Sequence, residues 1–344
     1  MSPHCRKTRI YKTFNFPGSL PGSKTLLTGI RQINKNNYVI TGFYEYPESA
    51  FSTISFVFKG KLNGNGKWYI LNYPSSPDIT VEQTNLYGPD VVHNHCNGTI
   101  TYNVVGNYTK VDVTSTYGAL YQGLLNGIGK WTTIVPTPLS SDPILGTICH
   151  STMGNLVVGN YNTLLIQGKA FIYDIKTGIY TDIVKPQAIS VTAYGIWKNK
   201  NCEHNYTIAG GFFNVPGAEG AYLVDWDNKK KKFSNWTNFN FNNDAVRSIA
   251  THFDGISGND NDNVYTLTGV YVDIEHPLSP QAFFACVNRK CHSRRFNPVA
   301  HWKTLSFPNS TGTSGNSVSE DVVIGVYNSG DDQGTVNGYI SLID

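Results

Sequence analysis

Charge is scarce in this chain: only 15% of its 344 residues are Asp, Glu, Lys or Arg, and the formal net charge is +3. A nucleic-acid footprint needs a basic stripe. The one basic run, Lys229 to Lys232, directly follows Asp225 and Asp227, so nucleic acid is not an expected partner. No apolar stretch approaches the roughly 20 residues that span a bilayer, and no membrane span is expected. The basic start, Met1 to Arg9, is not followed by the apolar stretch of a signal peptide, which leaves a cytoplasmic protein or one secreted after processing. Nucleophile-elbow, Walker A and dinucleotide-binding glycine motifs are all missing. Cysteine, at six residues, never occurs as CxxC. Cys5, Cys96, Cys149 and Cys202 each lie near a histidine (His4, His95, His150, His204), but they are too widely spaced for one zinc site, and buried thiols or disulfides account for them better. Cys286 and Cys291, with four residues between them including Asn288, suit a disulfide closing a hairpin end. The five Asn-x-Ser/Thr sites carry little weight, because 35 asparagines predict about six by chance.

Apolar and aromatic residues are plentiful, at 40% and 13%, together with 33 glycines. The chain therefore has a large core to bury and is not a disordered segment. A short motif recurs six times: Ile40-Thr41-Gly42-Phe43-Tyr44, Val104-Val105-Gly106-Asn107-Tyr108, Val157-Val158-Gly159-Asn160-Tyr161, Ile208-Ala209-Gly210-Gly211-Phe212, Leu267-Thr268-Gly269-Val270-Tyr271 and Val323-Ile324-Gly325-Val326-Tyr327. Its glycines are 64, 53, 51, 59 and 56 residues apart, room for four short strands and their turns but too long for a solenoid coil. Shorter segments precede several copies: Thr28-Gly29-Ile30, Tyr87-Gly88-Pro89, Leu145-Gly146-Thr147 and Tyr194-Gly195-Ile196. A Trp-led alternating strand follows others, as in Trp68 to Pro74, Trp131 to Pro136, Trp236 to Phe241 and Trp302 to Pro308. The last repeat has no such strand, yet Tyr11 to Pro17 at the other end of the chain matches Trp302 to Pro308 almost position for position.

This pattern resembles β-propellers whose terminal blade is completed by strands from both ends of the chain, a closure that removes free sheet edges. The resemblance implies an all-β, six-bladed single domain. Its blades would cover roughly residues 20–75, 80–137, 140–186, 190–243, 244–310 and 311–344, the last completed by 8–19, with an N-terminal strand at about 9–16 beside C-terminal strands at about 314–344. Blade five would carry an insertion at about 289–300. A pair of β-sandwiches is the alternative, disfavoured by the sixfold spacing and the displaced fourth strand.

The resemblance also implies a site on the face where second strands end, in the loops after the six motifs. These hold Glu45 and Glu48, Asp112, Asn162, Asn214 and Glu219, Asp273 with Glu275 and His276, and Asp331 with Asp332. The recurring aromatics Tyr44, Tyr108, Tyr161, Phe212, Tyr271 and Tyr327 read as packing between blades, since every repeat has one. Innermost-strand positions on one face by the period of two are Arg31, Asp90, His150, Asn199, His252 and Ser319. Asp90, His150 and His252 form a candidate acid–base set if the protein is an enzyme; otherwise these histidines are polar inner-strand residues. Arg31, Glu45, Asp273, Glu275, His276, Asp331 and Asp332 are the candidate ligand-binding residues. No metal ligand set is assigned. His93-Asn94-His95 reads as a solvated loop, and Asn259 to Asn263 offers alternating oxygens to a divalent cation such as calcium but lacks the glycine and distal glutamate of a calcium loop. Three functions follow: binding of a glycan or another polar small ligand, favoured by Tyr, Trp, Asn and Asp without a nucleophile motif; hydrolase, lyase or isomerase chemistry in the central channel; or a protein-interaction scaffold.

Overall fold

The computed structural model describes residues 8–47, 53–94, 98–137, 142–200, 206–214, 217, 219–259, 261–290, 295–331 and 333–343. Among these, every regular element is a strand apart from one short 3₁₀ turn, Phe241–Asn243. No helix of the described residues is long and apolar enough to cross a membrane.

The strands pair into six antiparallel meanders. The first runs through Lys24–Asn34, Asn37–Glu45, Thr53–Gly60 and Gly66–Ile70. The second uses Val81–His93, Ile100–Lys110, Val113–Gly123 and Gly129–Ile134, and the third Ile144–Met153, Leu156–Thr163, Lys169–Asp174 and Tyr180–Ile183. In the fourth, the first strand is broken into Ala188–Val191 and Gly195–Lys198, followed by Tyr206–Asn214, Glu219–Asp227 and Lys232–Phe239. The fifth holds Ser248–Gly258, Val264–Asp273, Gln281–Asn288 and His301–Leu305. The sixth comprises Gly312–Ser319, Val322–Asn328 and Val336–Ile343, and its outer strand is the N-terminal Thr8–Thr13, which pairs with Val336–Ile343. The displaced fourth strand expected from the match of Tyr11 to Trp302 is therefore in place.

Second strands are apolar on both faces, so each meander must be covered on two sides; Asn37–Glu45 is buried from Tyr38 to Tyr44. Neighbouring meanders supply the cover. Six apolar clusters form, each between two consecutive meanders: Val39 and Val57 against Leu86 and Val104, Val105 and Leu120 against Val157 and Phe171, Val158 and Ile172 against Ile208 and Val224, Leu223 and Phe239 against Phe253 and Leu267, Phe284 and Leu305 against Val318 and Val323, and Ile324 and Ile340 against Leu27 and Ile40. The last of these joins meander six to meander one, so the contacts close a ring, and the core is distributed among six junctions around a central axis.

Aromatic stacking reinforces the junctions. The residue just past one meander's outer strand lies on the recurring aromatic of the next: Tyr73 on Tyr108 at 3.9 Å between ring centroids, Phe241 on Tyr271 at 3.4 Å, Phe307 on Tyr327 at 3.6 Å and Phe16 on Tyr44 at 5.3 Å. At Phe212 a cation serves instead, with Lys185 Nζ 4.0 Å from the ring centroid. A buried ion pair ties meanders four and five together: Arg289 grips both carboxylate oxygens of Asp225, at 2.6 and 2.8 Å, and also donates to Tyr265 and Thr207. Arg289 opens the segment expected to be an insertion, which Phe296 anchors in the core. Cys291 lies outside the described residues, so of this pair only Cys286, buried on the fifth meander's third strand, can be placed.

Candidate functional site

The six motif glycines organise the axis. A Cβ on Gly42, Gly106, Gly159, Gly210, Gly269 or Gly325 would overlap the carbonyl oxygen of Leu26, Asn85, Ile148, Thr192, His252 or Ser314, respectively, on the adjoining innermost strand. Each second strand thus presses on its inner strand at one equivalent point. Immediately after it the inner strand is irregular: pairing slips between Leu27 and Gly29, Leu86 and Pro89, Cys149 and Ser151, Phe253 and Gly255, and Gly315 and Ser317, and the fourth meander breaks between Val191 and Gly195. Such a bulge inserts an extra residue and re-aims a side chain. Around the ring the six re-aimed residues are Thr28, Tyr87, His150, Tyr194, Asp254 and Asn316, and all six line one funnel of about 450 Å³, together with Phe43, Glu219, His252 and others.

Below this ring the channel narrows. The next residue in each meander is small (Gly29, Gly88, Ser151, Gly195, Gly255, Ser317), and a Cβ on Gly29 would meet Gly88, one on Gly88 would meet Ser151 and one on Gly255 would meet Ser317. The waist holds only about 10 Å³ of free space. Beyond it opens a second vestibule of about 680 Å³, lined in part by Arg31, Asp90, His93, Met153, Trp197 and Glu320.

In the funnel, aromatic rings form an arc across four meanders. Tyr87 meets His150 edge-on at 5.2 Å, His150 stacks on Tyr194 at 3.7 Å with 18° between planes, and Tyr194 meets the His252 ring edge-on at 4.5 Å. His252 is held at both nitrogens: Nδ1 lies 2.5 Å from Asp254 Oδ1, and Nε2 lies 2.6 Å from the Thr192 hydroxyl. The carboxylate accepts from Nδ1–H, leaving Nε2 to accept from Thr192. His150 is the opposite case. It is buried, and neither ring nitrogen has a hydrogen-bond partner. Burial, with the charge of nearby His252 second, pushes its pKa down to about 3, so the imidazole is neutral at ordinary pH. Burial also raises the hydroxyls of Tyr87, to about 12, and of Tyr194, so both remain hydrogen-bond donors.

The residues expected from sequence divide among several places. His150 and His252 share the funnel, whereas Asp90 faces the other vestibule, where its carboxylate accepts from the backbone N–H of Gly154 at 2.7 Å and of Val91 at 2.9 Å. The bulge separates them: a period of two counted through an extra residue assigns the wrong face. Arg31 also sits beyond the waist, its guanidinium crossing the axis to the carbonyls of Ile196 at 3.0 Å and Ile256 at 3.3 Å. Glu45 pairs with Lys24 at 2.8 Å. Asp273, Glu275 and His276 have ligand atoms within 4.8 Å of one another, but Asp273 closes its own turn by accepting from His276 N at 2.8 Å, and Glu275 pairs with Arg247. Asp331 likewise accepts from Thr335 N at 2.9 Å, closing the last hairpin. None of these loop residues lines the funnel. Asp332, Glu48, His95 and Asp260 lie outside the described residues. In the remainder of the proposed calcium run, Asn259 accepts from the backbone of Asn263 and Val264.

Sequence reasoning missed Thr28, Tyr87, Tyr194, Asp254 and Asn316 as a set. Their signal was present: each precedes a glycine or serine and follows by two the residue whose carbonyl a motif glycine contacts.

No protein-family model and no curated protein matches the chain in sequence. In structure, the NanB sialidase of Streptococcus pneumoniae is similar over 97% of this chain and 70% of its own, with a TM-score of 0.56 at 7% identity. An α-L-arabinanase of Penicillium chrysogenum is similar over 97% and 98%, with a TM-score of 0.51 at 12% identity. Both are β-propellers, and with the closed ring of meanders the likeness establishes the fold: this chain is a β-propeller.

Proposed function

We propose that the six meanders are the blades of a six-bladed propeller, a single domain with boundaries near those read from the repeats, and that its axial funnel binds a glycan or a comparable polyhydroxylated ligand. The carrying observation is the asymmetry of the ring: six equivalent positions hold five kinds of side chain, Thr28, Tyr87, His150, Tyr194, Asp254 and Asn316, in one cavity. Equal pockets repeated in every blade would suit a multivalent lectin; one shared cavity suits one ligand. Aromatic faces that stack on sugar C–H surfaces stand beside hydroxyl and amide groups able to read hydroxyls. The names of the two structural neighbours, a sialidase and an arabinanase, are in keeping with a sugar ligand.

Calorimetric titration with neutral oligosaccharides is expected to give one site per chain, and Tyr194→Ala to weaken binding at least tenfold, about 1.4 kcal/mol, without loss of fold. Six sites per chain, or affinity unchanged by Tyr194→Ala, overturns the reading. A second reading, hydrolysis, rests on the Asp254–His252–Thr192 hydrogen-bond relay, in which the imidazole is oriented to take the hydroxyl proton. Turnover of aryl glycosides or aryl esters that is abolished by both His252→Gln and Thr192→Val would favour it over simple binding.

A further inference from the structure

We infer that the funnel selects uncharged glycans and excludes those bearing a carboxylate or sulfate. This rests on the glycan reading above and concerns the same cavity. Its walls are apolar at Leu26, Phe43 and Val270 and neutral at most polar positions, and the acidic side chains among the described lining residues are Glu219 and Asp254, the second of which accepts from His252 Nδ1–H. No lysine or arginine among the described residues lines the funnel. On the first inner strand, Lys24 pairs with Glu45, and Arg31 stands on the far side of the narrow waist with its terminal nitrogens donating to the carbonyls of Ile196 and Ile256.

An anionic ligand would therefore give up water without gaining an ionic partner. Burying an unpaired charge is costly, and the exposed carboxylate of Glu219 at the wall adds repulsion of the same sign. His150 cannot supply the missing charge, because stacking against Tyr194 buries it in its neutral form. Both of its ring nitrogens are themselves buried and without a partner, so what it presents to the funnel is an uncharged ring. Thr28 donates its hydroxyl to Leu86 O at 2.7 Å, and Asn316 donates to Leu27 O at 2.7 Å while accepting from the Ser314 hydroxyl, so what they keep for a ligand is the Thr28 oxygen as an acceptor and the second Asn316 N–H as a donor. The walls thus offer neutral hydrogen-bonding groups suited to hydroxyls and no cation to balance a carboxylate.

Matched pairs test this directly: galactobiose against digalacturonate and lactose against sialyllactose, titrated by calorimetry near neutral pH at low and high salt. The neutral member of a pair should bind at least tenfold tighter at low salt. The gap should narrow at high salt, where the ligand's repulsion from exposed Glu219 is screened. Glu219→Gln, at an exposed edge position with no expected cost to folding, should narrow it about threefold. Charged members binding as tightly as neutral ones, or a preference indifferent to both salt and Glu219→Gln, overturns the inference while leaving the glycan reading intact. Failure of all four sugars to bind removes the glycan reading and the inference with it.

Discussion

At the scale of single residues, His150 is where folding and binding compete. A buried imidazole with two unsatisfied nitrogens is destabilising in a folded protein unless something else requires it. The arrangement has a pH signature. In the unfolded chain the imidazole takes up a proton near pH 6.5, whereas in the fold burial delays this to about 3, so between those values the unfolded state binds more protons. Stability from this group is complete above pH 6.5 and is lost as pH falls, by about 1.4 kcal/mol for each unit below it. Asp90 works in the opposite sense: burial raises its carboxyl above the ordinary value, so acidification relieves rather than adds cost there. Comparing wild type with His150→Phe isolates the histidine. The phenyl ring keeps the stacking on Tyr194 and cannot charge, so urea denaturation from pH 7.5 down to pH 4 should show a flatter profile for the variant, with a difference of about 3 kcal/mol at the acid end. Parallel profiles would mean that His150 is solvated in the native state, and the same variant should then still bind ligand.

The inner strand and its neighbour are the elements that build the site, and the repeated glycine is their joint. Gly210→Ala would drive a methyl group into the carbonyl of Thr192, the residue that holds His252 and lies two before Tyr194. Backbone cannot yield there as a flexible side chain would, so the variant should lose about 2 kcal/mol or more in urea denaturation and also weaken ligand binding through the displaced bulge. Gly178→Ala provides the comparison: it is a left-handed turn glycine at φ +71° with open space around it, and should cost about 1 kcal/mol with binding unchanged. Equal effects on binding would show that the glycine contact does not position the ring. The same joint explains what was readable in advance. The six motif glycines and the period of two located the second strands, because steric exclusion leaves the same residue in every copy. The inner strands were harder, since the waist position accepts serine as well as glycine, at Ser151 and Ser317. Gly146 then passed for a copy, although a Cβ there would meet only Thr116 at an ordinary 3.6 Å. Bulges leave no mark on an alternating pattern, and one uncounted residue per strand was enough to pair Asp90 with His150 across the waist.

For the whole molecule, closure of the ring was legible because the N-terminal strand has to satisfy the same contacts as any other outer strand. Its residues touch three meanders at once: Phe14 packs on Phe58 at 5.0 Å and on Trp68 at 5.5 Å, Phe14 N donates to Gly338 O at 2.8 Å, Lys12 Nζ donates to Asn63 O at 2.6 Å, and the Tyr11 hydroxyl accepts from Ser306 N at 3.0 Å. These constraints explain why Tyr11 to Pro17 copies Trp302 to Pro308 from a distant part of the sequence. Removing residues 1–16 would leave Val336–Ile343 as an open sheet edge and uncover the cluster at the junction of meanders six and one. A ring distributes its core among junctions, so a fault at one junction is not confined: with no central core to fall back on, the two flanking meanders lose an apolar partner and the circuit becomes an open chain of sheets. The truncated protein should therefore melt at a markedly lower temperature and elute partly as aggregate in size-exclusion chromatography. A synthetic peptide of residues 8–17, added in excess, should raise the melting temperature in a concentration-dependent manner, because it binds the folded ring and not the unfolded chain. A truncated chain that melts like the full-length protein would show that the five other junctions suffice to hold the ring, whereas a lowered melting temperature that the peptide fails to raise would mean that the strand's covalent attachment, rather than its pairing alone, keeps the ring shut.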